Sequence, residues 1–415
     1  MRILIATVTA GGGHIAAAAA LEEAWRALRP DDAVERLDLI KFFSPLHKKV
    51  HADGYVKLVE HAPELWGMLF GKTDNPKVAR RLSKLRRAFP SNSRSKFTRH
   101  LKQFKPDAVL CTHYLPLETL GLLRAKGARL WRSPAAERPS SAVSGKISTS
   151  ARNVAAAAGA LHTAALQNKF PFVVSIVTDF EAHALWMDAC VDLYCVAAEE
   201  TRARLVARGA TAANAVATGI PIAAKFLSKP DARTIRKNYG LRDDQPVLLV
   251  LGGGFGMGPV AEILAELDKV PGQFQTLVVT GRNEELRRKL ATQTRQHPTH
   301  VLGYSINMHE LMAVADLIIT KPGGLTTSEA LALGKPLFIL NPIPGQEAAN
   351  SDFLLERGAA VKVNRVEDLP FRIEKLLGSK KLAEMAKAAK SLGRPQSATM
   401  VCQEVLKRLD TKAKG

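Results

Sequence analysis

One local pattern occurs twice in this chain, and it limits the possible folds more than any other feature. A short apolar run is followed by clustered glycines and then by a helical stretch. The first copy is residues 2–9 (RILIATVT), Gly11-Gly12-Gly13, and an alanine-rich helix from about His14 to Leu28. A turn at Pro30-Asp31 leads to a strand over 33–39 (AVERLDL). The second copy is 246–251 (PVLLVL), the run Gly252 to Gly258, a helix to about Lys269, and a strand over 275–280 (QTLVVT). Strands that are apolar throughout and alternate with helices belong to parallel sheets covered on both faces. The fold class is therefore α/β, with two Rossmann-like doubly wound domains facing a cleft. A chain of 415 residues supplies two cores of roughly 200 residues each. Gly219-Ile220-Pro221 reads as the linker, which sets the domains at 1–221 and 222–385, with 386–415 closing the chain.

The remaining elements fill in both halves. Strands are expected at 107–112, 172–178, near 191–197 and at 215–217, with a helix at 199–208. In the second half strands at 300–302, 316–319 and 336–340 alternate with helices at 283–293, 307–314 and 326–333. Helices near 347–357 and 380–408 follow. Residues 130–168 are rich in Ser, Ala, Pro and Arg with little periodicity, and read as a disordered insertion in the first domain.

Glycine between a strand and a helix lets the backbone approach an anion, and the helix N-terminus offers unpaired N–H groups. Gly11 to Ala16 satisfies the loose dinucleotide pattern G-x-G-x-x-A, with Asp38 about 20 residues on. That arrangement fits a nicotinamide site, a tight turn without a ligand, or an active-site loop at the cleft. The loop 252–258 is a second phosphate cradle, and a dehydrogenase has no need of both. A third constellation is Lys321-Pro322-Gly323-Gly324-Leu325-Thr326-Thr327-Ser328-Glu329-Ala330. Thr326, Thr327 and Ser328 are expected to cap a helix, with Glu329 in its first turn. Gln346, Glu347 and Asn350 gather at the next helix start, where polar side chains at strand ends hold a sugar or ribose.

The formal net charge is +20, which points to anionic partners. Between Lys77 and Lys105 the chain carries eleven Lys and Arg and no acid, Arg81, Lys84 and Arg87 among them. Val78, Leu82, Leu85 and Phe89 are spaced as one helical face, and Trp66, Met68, Leu69 and Phe70 lie just upstream. A basic amphipathic helix beside exposed aromatics fits an anionic membrane surface. No nucleic-acid motif accompanies the charge. The four cysteines form no C-x-x-C pair and read as buried free thiols. No signal peptide is legible, and no run reaches the roughly 18 apolar residues of a spanning helix. The expected location is cytoplasmic, peripheral on the inner face of the cell membrane.

Six segments together resemble one family. They are A-G-G-G-H at 10–14, T-D-F at 178–180 with His183 and Trp186, G-I-P-I at 219–222, L-G-Y at 302–304, K-P-G-G-L-T-T-S-E-A at 321–330, and P-I-P-G-Q-E at 342–347. The chain resembles the lipid glycosyltransferases of the monogalactosyldiacylglycerol synthase and processive diacylglycerol glucosyltransferase type. These are relatives of the peptidoglycan lipid-intermediate N-acetylglucosaminyltransferase. The resemblance implies the GT-B fold, a UDP-sugar donor in the C-terminal domain and a lipid acceptor such as diacylglycerol on the N-terminal one. By motif position Glu329 would bind the ribose hydroxyls. Gly323, Gly324, Leu325, Thr326 and Thr327, with Gly254, Phe255, Gly256 and Met257, would hold the diphosphate. Tyr304 and Ser305 would lie by the uracil, and Gln346, Glu347 and Asn350 would contact the sugar. Gly12, Gly13, His183 and Trp186 would face the acceptor, with Trp66, Phe70 and the basic run at the membrane. The last helix would cross back onto the first domain.

The chemistry follows. Transfer from UDP needs a base on the acceptor hydroxyl and stabilisation of the departing diphosphate. No D-x-D motif occurs, so helix N-termini, backbone amides and Arg282 are expected to take the charge, without a metal or other cofactor. His14, at the mouth of the first glycine loop, is the natural base, and Asp179 is placed to orient it or the acceptor. Direct displacement inverts the anomeric centre. The competing readings are a non-catalytic, membrane-associated nucleotide sensor or scaffold, and a nicotinamide-dependent oxidoreductase.

Overall fold

The computed structural model describes residues 1–9, 12–43, 62–75, 77–79, 81, 92–127, 130–132, 168–228, 230–253, 258–340 and 342–414. The first domain holds β1 (Arg2–Thr7), α1 (Gly12–Leu28), β2 (Ala33–Asp38), α2 (Pro63–Thr73), α3 (Asn92–Phe104), β3 (Ala108–Cys111), α4 (Tyr114–Ala125), β4 (Phe172–Ile176), β5 (Leu193–Val196), α5 (Glu199–Ala207) and β6 (Ala215–Ala217). Its six-stranded sheet has the order β2-β1-β3-β4-β5-β6, and every pairing is parallel.

The second domain begins with α6 (Ala232–Asn238) and β7 (Val247–Leu251). It continues through α7 (Val260–Leu267), β8 (Gln275–Val279), α8 (Glu284–Ala291), β9 (Thr299–Leu302), α9 (Met308–Val314), β10 (Leu317–Thr320), α10 (Gly324–Ala332), β11 (Leu337–Leu340), α11 (Gln346–Glu356), β12 (Ala360–Val363) and α12 (Leu369–Leu376). Its sheet order is β9-β8-β7-β10-β11-β12, again all parallel. In both sheets the strand order reverses beside the first strand, between β1 and β3 and between β7 and β10. Those reversal points, at the carboxyl ends of the strands, are where such sheets bind ligands.

The hydrophobic pattern explains these elements. β1, β3, β4 and β5 are buried on both faces, as parallel strands under two helical layers must be. α1 owes its length to the alanines at 16–20, and it buries Ala17, Ala18, Leu21 and Trp25 along one side. The closing segment is two helices, α13 (Lys380–Leu392) and α14 (Ser397–Lys414), where the sequence suggested one. Gly393 and Pro395 between them explain the break, because proline there cannot continue the ladder of helical N–H bonds. α14 lies on α1, with Val401, Cys402 and Val405 packed among Ile3, Ile5, Leu21 and Trp25.

The chain crosses between domains at two places that touch each other. Gly219 has φ 86°, and a Cβ there would lie 2.6 Å from Arg394 Cβ. Ser397 Oγ donates to Ile220 O at 2.8 Å. The expected insertion and basic run are described only at their edges. Residues 133–167 lie outside the described residues, while Trp131↔Lys169 and Arg132↔Asn168 pair as a short antiparallel ladder at the insertion's two ends. Residues 82–91, with Lys84 and Arg87, also lie outside them, and Arg81 is exposed. α3 buries Phe97 and Leu101 and turns Lys96, Arg99 and Lys102 outward.

Candidate active site

The carboxyl ends of β1, β3, β4 and β10 converge on one cleft. The first turn of α1 brings His14 there. Its Nδ1 lies 2.9 Å from Thr178 Oγ1, and its backbone carbonyl accepts from Thr112 Oγ1 at 3.0 Å. The ring packs edge-on against His113, with centroids 4.8 Å apart, and faces the buried Trp186 at 6.2 Å. Burial in this pocket is the larger influence on the imidazole, and with a weaker opposing bond to the Thr112 backbone it leaves the pKa lowered to about 4. His14 is therefore neutral at physiological pH. Thr178, rather than Asp179, is the side chain that bonds the ring. The sequence flagged the T-D-F segment but not this residue within it.

Asp179 faces the second domain instead. Its Oδ1 accepts from Asn350 Nδ2 at 3.2 Å. Burial, with repulsion from Glu181 and despite the Asn350 bond, raises its carboxyl to about 6. Asn350 also donates to Pro322 O at 3.0 Å and accepts from Phe180 N at 2.8 Å. Both amide protons are thus taken, and only a second lone pair on Oδ1 is left for an incoming sugar. Glu347 bonds Ile343 N at 2.8 Å through Oε2, and burial pushes its carboxyl up as well. Gln346 opens the same helix, α11, half-buried beside it.

α10 starts two residues before the expected position, so Thr326, Thr327 and Ser328 do not cap it. Its N-cap is Gly323, with no side-chain cap, which leaves the first amides without helical partners. Ser328 Oγ bonds back to Gly324 O at 2.8 Å, and the fully buried Thr327 has no hydrogen-bond partner for Oγ1 among the described residues. Glu329 falls in the second turn, beyond the reach of a capping role. Burial, partly offset by Lys225, raises its carboxyl to about 8. This helix start is an uncapped, positively polarised cradle with an acid beside it. It also touches the first domain. A Cβ on Gly324 would lie 2.0 Å from Thr178 O, and one on Gly13 would lie 3.8 Å from Leu325 Cβ. The first turns of α1 and α10, with His14 on one and the free amides on the other, thus meet across the cleft, while Gly12 is exposed.

At the cleft's edge Tyr304 is 64% exposed, with the Arg282 guanidinium 5.5 Å from its ring centroid. Ser305 Oγ accepts from Asn307 N at 3.1 Å, and Lys225 Nζ ties the loop down through Ile306 O at 2.5 Å. Gly254, Phe255, Gly256 and Met257 lie outside the described residues.

α2 corrects an orientation. Trp66 and Phe70, expected at the surface, turn inward. Phe70 packs on His183 with centroids 4.4 Å apart and leaves no room for a Cβ on Gly345. The outward face is Leu65, Met68 and Leu69, between 40% and 50% exposed. Helical periodicity separates the two sets. His183 accepts from Leu185 N through Nδ1, so Nε2 carries the proton that reaches Phe70 O at 3.0 Å. Asp74, following α2, is clamped by Arg208 at 2.6 Å and by Ala184 N at 2.9 Å. On the opposite side Gly67 abuts Pro344, so α2 bridges the cleft between the domains.

Asp38 bears on the nicotinamide reading. It accepts from Thr9 N at 3.1 Å and Ile40 N at 3.0 Å, and Thr9 Oγ1 takes its other oxygen. The acid that the nicotinamide reading needs for a ribose is therefore already engaged by Thr9 and Ile40. All four cysteines are buried, with thiols pushed well above their ordinary pKa.

Two parallel doubly wound domains with facing glycine turns, joined by a crossing C-terminal helix, define a GT-B fold. The solved structures agree. An Acinetobacter baumannii MurG is similar over 98% of this chain and 100% of its own, with a TM-score of 0.55 at 16% identity. A UDP co-structure of S. aureus MnaA is similar over 99% and 97%, with a TM-score of 0.60 at 11% identity. At the level of sequence, the monogalactosyldiacylglycerol (MGDG) synthase model matches residues 14–131 and 151–222, and the glycosyltransferase family 28 C-terminal domain matches residues 247–401. The chain thus carries an MGDG synthase domain followed by a glycosyltransferase family 28 C-terminal domain. A Bacillus pumilus (strain SAFR-032) protein named processive diacylglycerol beta-glucosyltransferase is 35% identical over 239 residues, 57% of this chain. The match spans 62% of that relative's length. No helix among the described residues is long and apolar enough to cross a membrane.

Proposed function

We propose that this protein transfers a hexose, glucose or galactose, from a UDP-sugar to diacylglycerol or a related lipid at a membrane surface, with inversion at the anomeric carbon. The observation that carries this reading is the meeting of two helix starts in one cleft. A neutral histidine stands on one, and an uncapped run of amides on the other. The similar Bacillus protein's name supports the acceptor class, and the UDP in a structure of the same fold is consistent with the donor class.

In this reading His14 takes the proton of the acceptor hydroxyl as that oxygen attacks the anomeric carbon. Thr178 fixes the imidazole through Nδ1 and so directs Nε2 at the acceptor. A base with a pKa of about 4 is weak, but the diphosphate of a bound donor places negative charge in the cleft and raises it. The α10 amides receive the charge on the departing UDP, an electrostatic contribution that needs no metal. Glu329 accepts from the ribose hydroxyls, which gives hydrogen-bond donors to a half-buried acid whose carboxyl is raised by desolvation. The outward apolar face of α2 and the basic face of α3 meet the anionic membrane, with the long stems of Lys96, Arg99 and Lys102 reaching the headgroups.

The test is UDP release from UDP-glucose and from UDP-galactose, with and without diacylglycerol in anionic vesicles, for wild type and His14→Ala. Lipid-dependent release that His14→Ala lowers by at least 100-fold is expected. UDP binding without release for either donor and any lipid would replace the enzyme by a non-catalytic sensor.

A further inference from the structure

Asn350 lies in α11 of the second domain and is fully buried. Its three hydrogen bonds go to Asp179 and Phe180 of the first domain and to Pro322, in the turn that opens α10. The Thr178–Phe180 turn thus has three separate tasks. Thr178 holds His14 and abuts Gly324, and Asp179 meets Asn350. Phe180 leaves its own domain's core and stacks on Phe353 of α11 at 4.4 Å. The base and the amide cradle sit on opposite domains, and one buried amide group bonds the turns beside both.

We propose that Asn350 is a positioning residue for sugar transfer. It joins the Thr178–Phe180 turn to the Pro322–Gly323 turn and so fixes the separation of His14 from the first amides of α10. This rests on the reading of His14 as base and α10 as diphosphate cradle. Hydrogen bonds suit the task better than apolar packing alone, because a buried amide stripped of one partner is costly and the joint therefore has one favoured arrangement. The amide also gives Asp179 a donor. Glu347 of the second domain repels Asp179, and the donation from Asn350 offsets that repulsion across the joint.

The experiment measures the domain separation directly. Lys126→Cys on the first domain and Lys289→Cys on the second are exposed and take spin labels, whereas the native thiols are buried. Pulsed electron resonance distances are recorded for the full chain with and without UDP. The same labelled background then carries Asn350→Ala, Asp179→Ala or Asp179→Asn. Both alanine variants should lengthen and broaden the distribution, and Asp179→Asn, which keeps the acceptor oxygen, should not. Turnover of Asn350→Ala should fall about 10- to 100-fold. Calorimetric affinity for UDP should change by less than about threefold, because the nucleotide contacts remain.

A wild-type distance distribution in both alanine variants overturns the proposal. So does a fall in affinity for UDP-glucose or UDP-galactose, measured in the same calorimeter, that equals the fall in turnover at unchanged distance, which would make Asn350 a direct sugar contact. Absence of turnover in the wild type, with the distances changing as described, would instead overturn the transferase reading and leave the joint in place.

Discussion

Replacing Gly324 by alanine adds one methyl group where the two domains come closest. The backbone there is helical, and alanine suits a helix better than glycine by up to about 1 kcal/mol. On local grounds the change should stabilise. The surroundings reverse the sign. The new Cβ would lie 2.0 Å from Thr178 O, 3.1 Å from Thr178 C and 3.2 Å from Ile220 Cδ1. Ordinary contact begins near 3.4 Å, so α10 and the Thr178 turn must part by more than an ångström. The obstacle is backbone, and no rotamer relieves it. Overpacking of this kind costs about 1–3 kcal/mol, which for domains of this size lowers Tm by about 2–12 °C. Misplacement by about 1 Å also costs on the order of 100-fold in rate, and here it separates His14 from the amide cradle. Gly324→Ala should therefore lose far more turnover than stability in the vesicle assay of UDP release. Gly323→Ala is the control for stability, since a Cβ there meets nothing within 4 Å. Turnover within twofold of wild type and an unchanged Tm for Gly324→Ala would show that the helix start does not approach Thr178 in the working protein.

Four further outcomes are expected. Glu329 holds its proton in the folded chain up to about pH 8 and in the unfolded chain only to about 4.5. The folded state therefore binds more protons between these values, and stability falls as pH rises through that window. Glu329→Gln should be more stable than wild type by about 1–3 kcal/mol at pH 8, with little difference below pH 4.5. A gap that is the same at pH 4 and pH 8 in urea unfolding would contradict this. Asp74→Ala strips Arg208 and the Ala184 amide of their partner and should cost about 2–4 kcal/mol in the same assay, where a loss under 0.5 kcal/mol would mean that α2 is anchored by packing alone. Leu65→Ser with Met68→Ser should lower binding to anionic vesicles at least about tenfold at unchanged Tm. Trp66→Ser should instead lower stability, and equal loss of vesicle binding without loss of Tm would place Trp66 outward after all.

The sequence alone determined the two α/β domains, because a parallel strand buried on both faces is a continuous apolar run and the glycine turns that end such strands are visible by composition. It also singled out Gly219-Ile220-Pro221 as a linker candidate, and His14, the T-D-F turn and the 321–330 run as site candidates, since each is contiguous. Its failures share a cause. The start of α10 was misplaced because Thr326 to Ser328 suit a cap by type, whereas the helix begins earlier at glycines whose small size is demanded by the opposite domain. Trp66 and Phe70 looked like surface anchors because a helix's composition does not say which face is covered, and His183 and Gly345 lie more than 100 residues away. Thr178 gained its place on His14, and Asn350 its place between domains, only when chain segments 164 and 170 residues apart were brought together. Local pattern reports what each segment can form. The partner that consumes a hydrogen bond, or forbids a methyl group, is set by packing between domains and is absent from any local window.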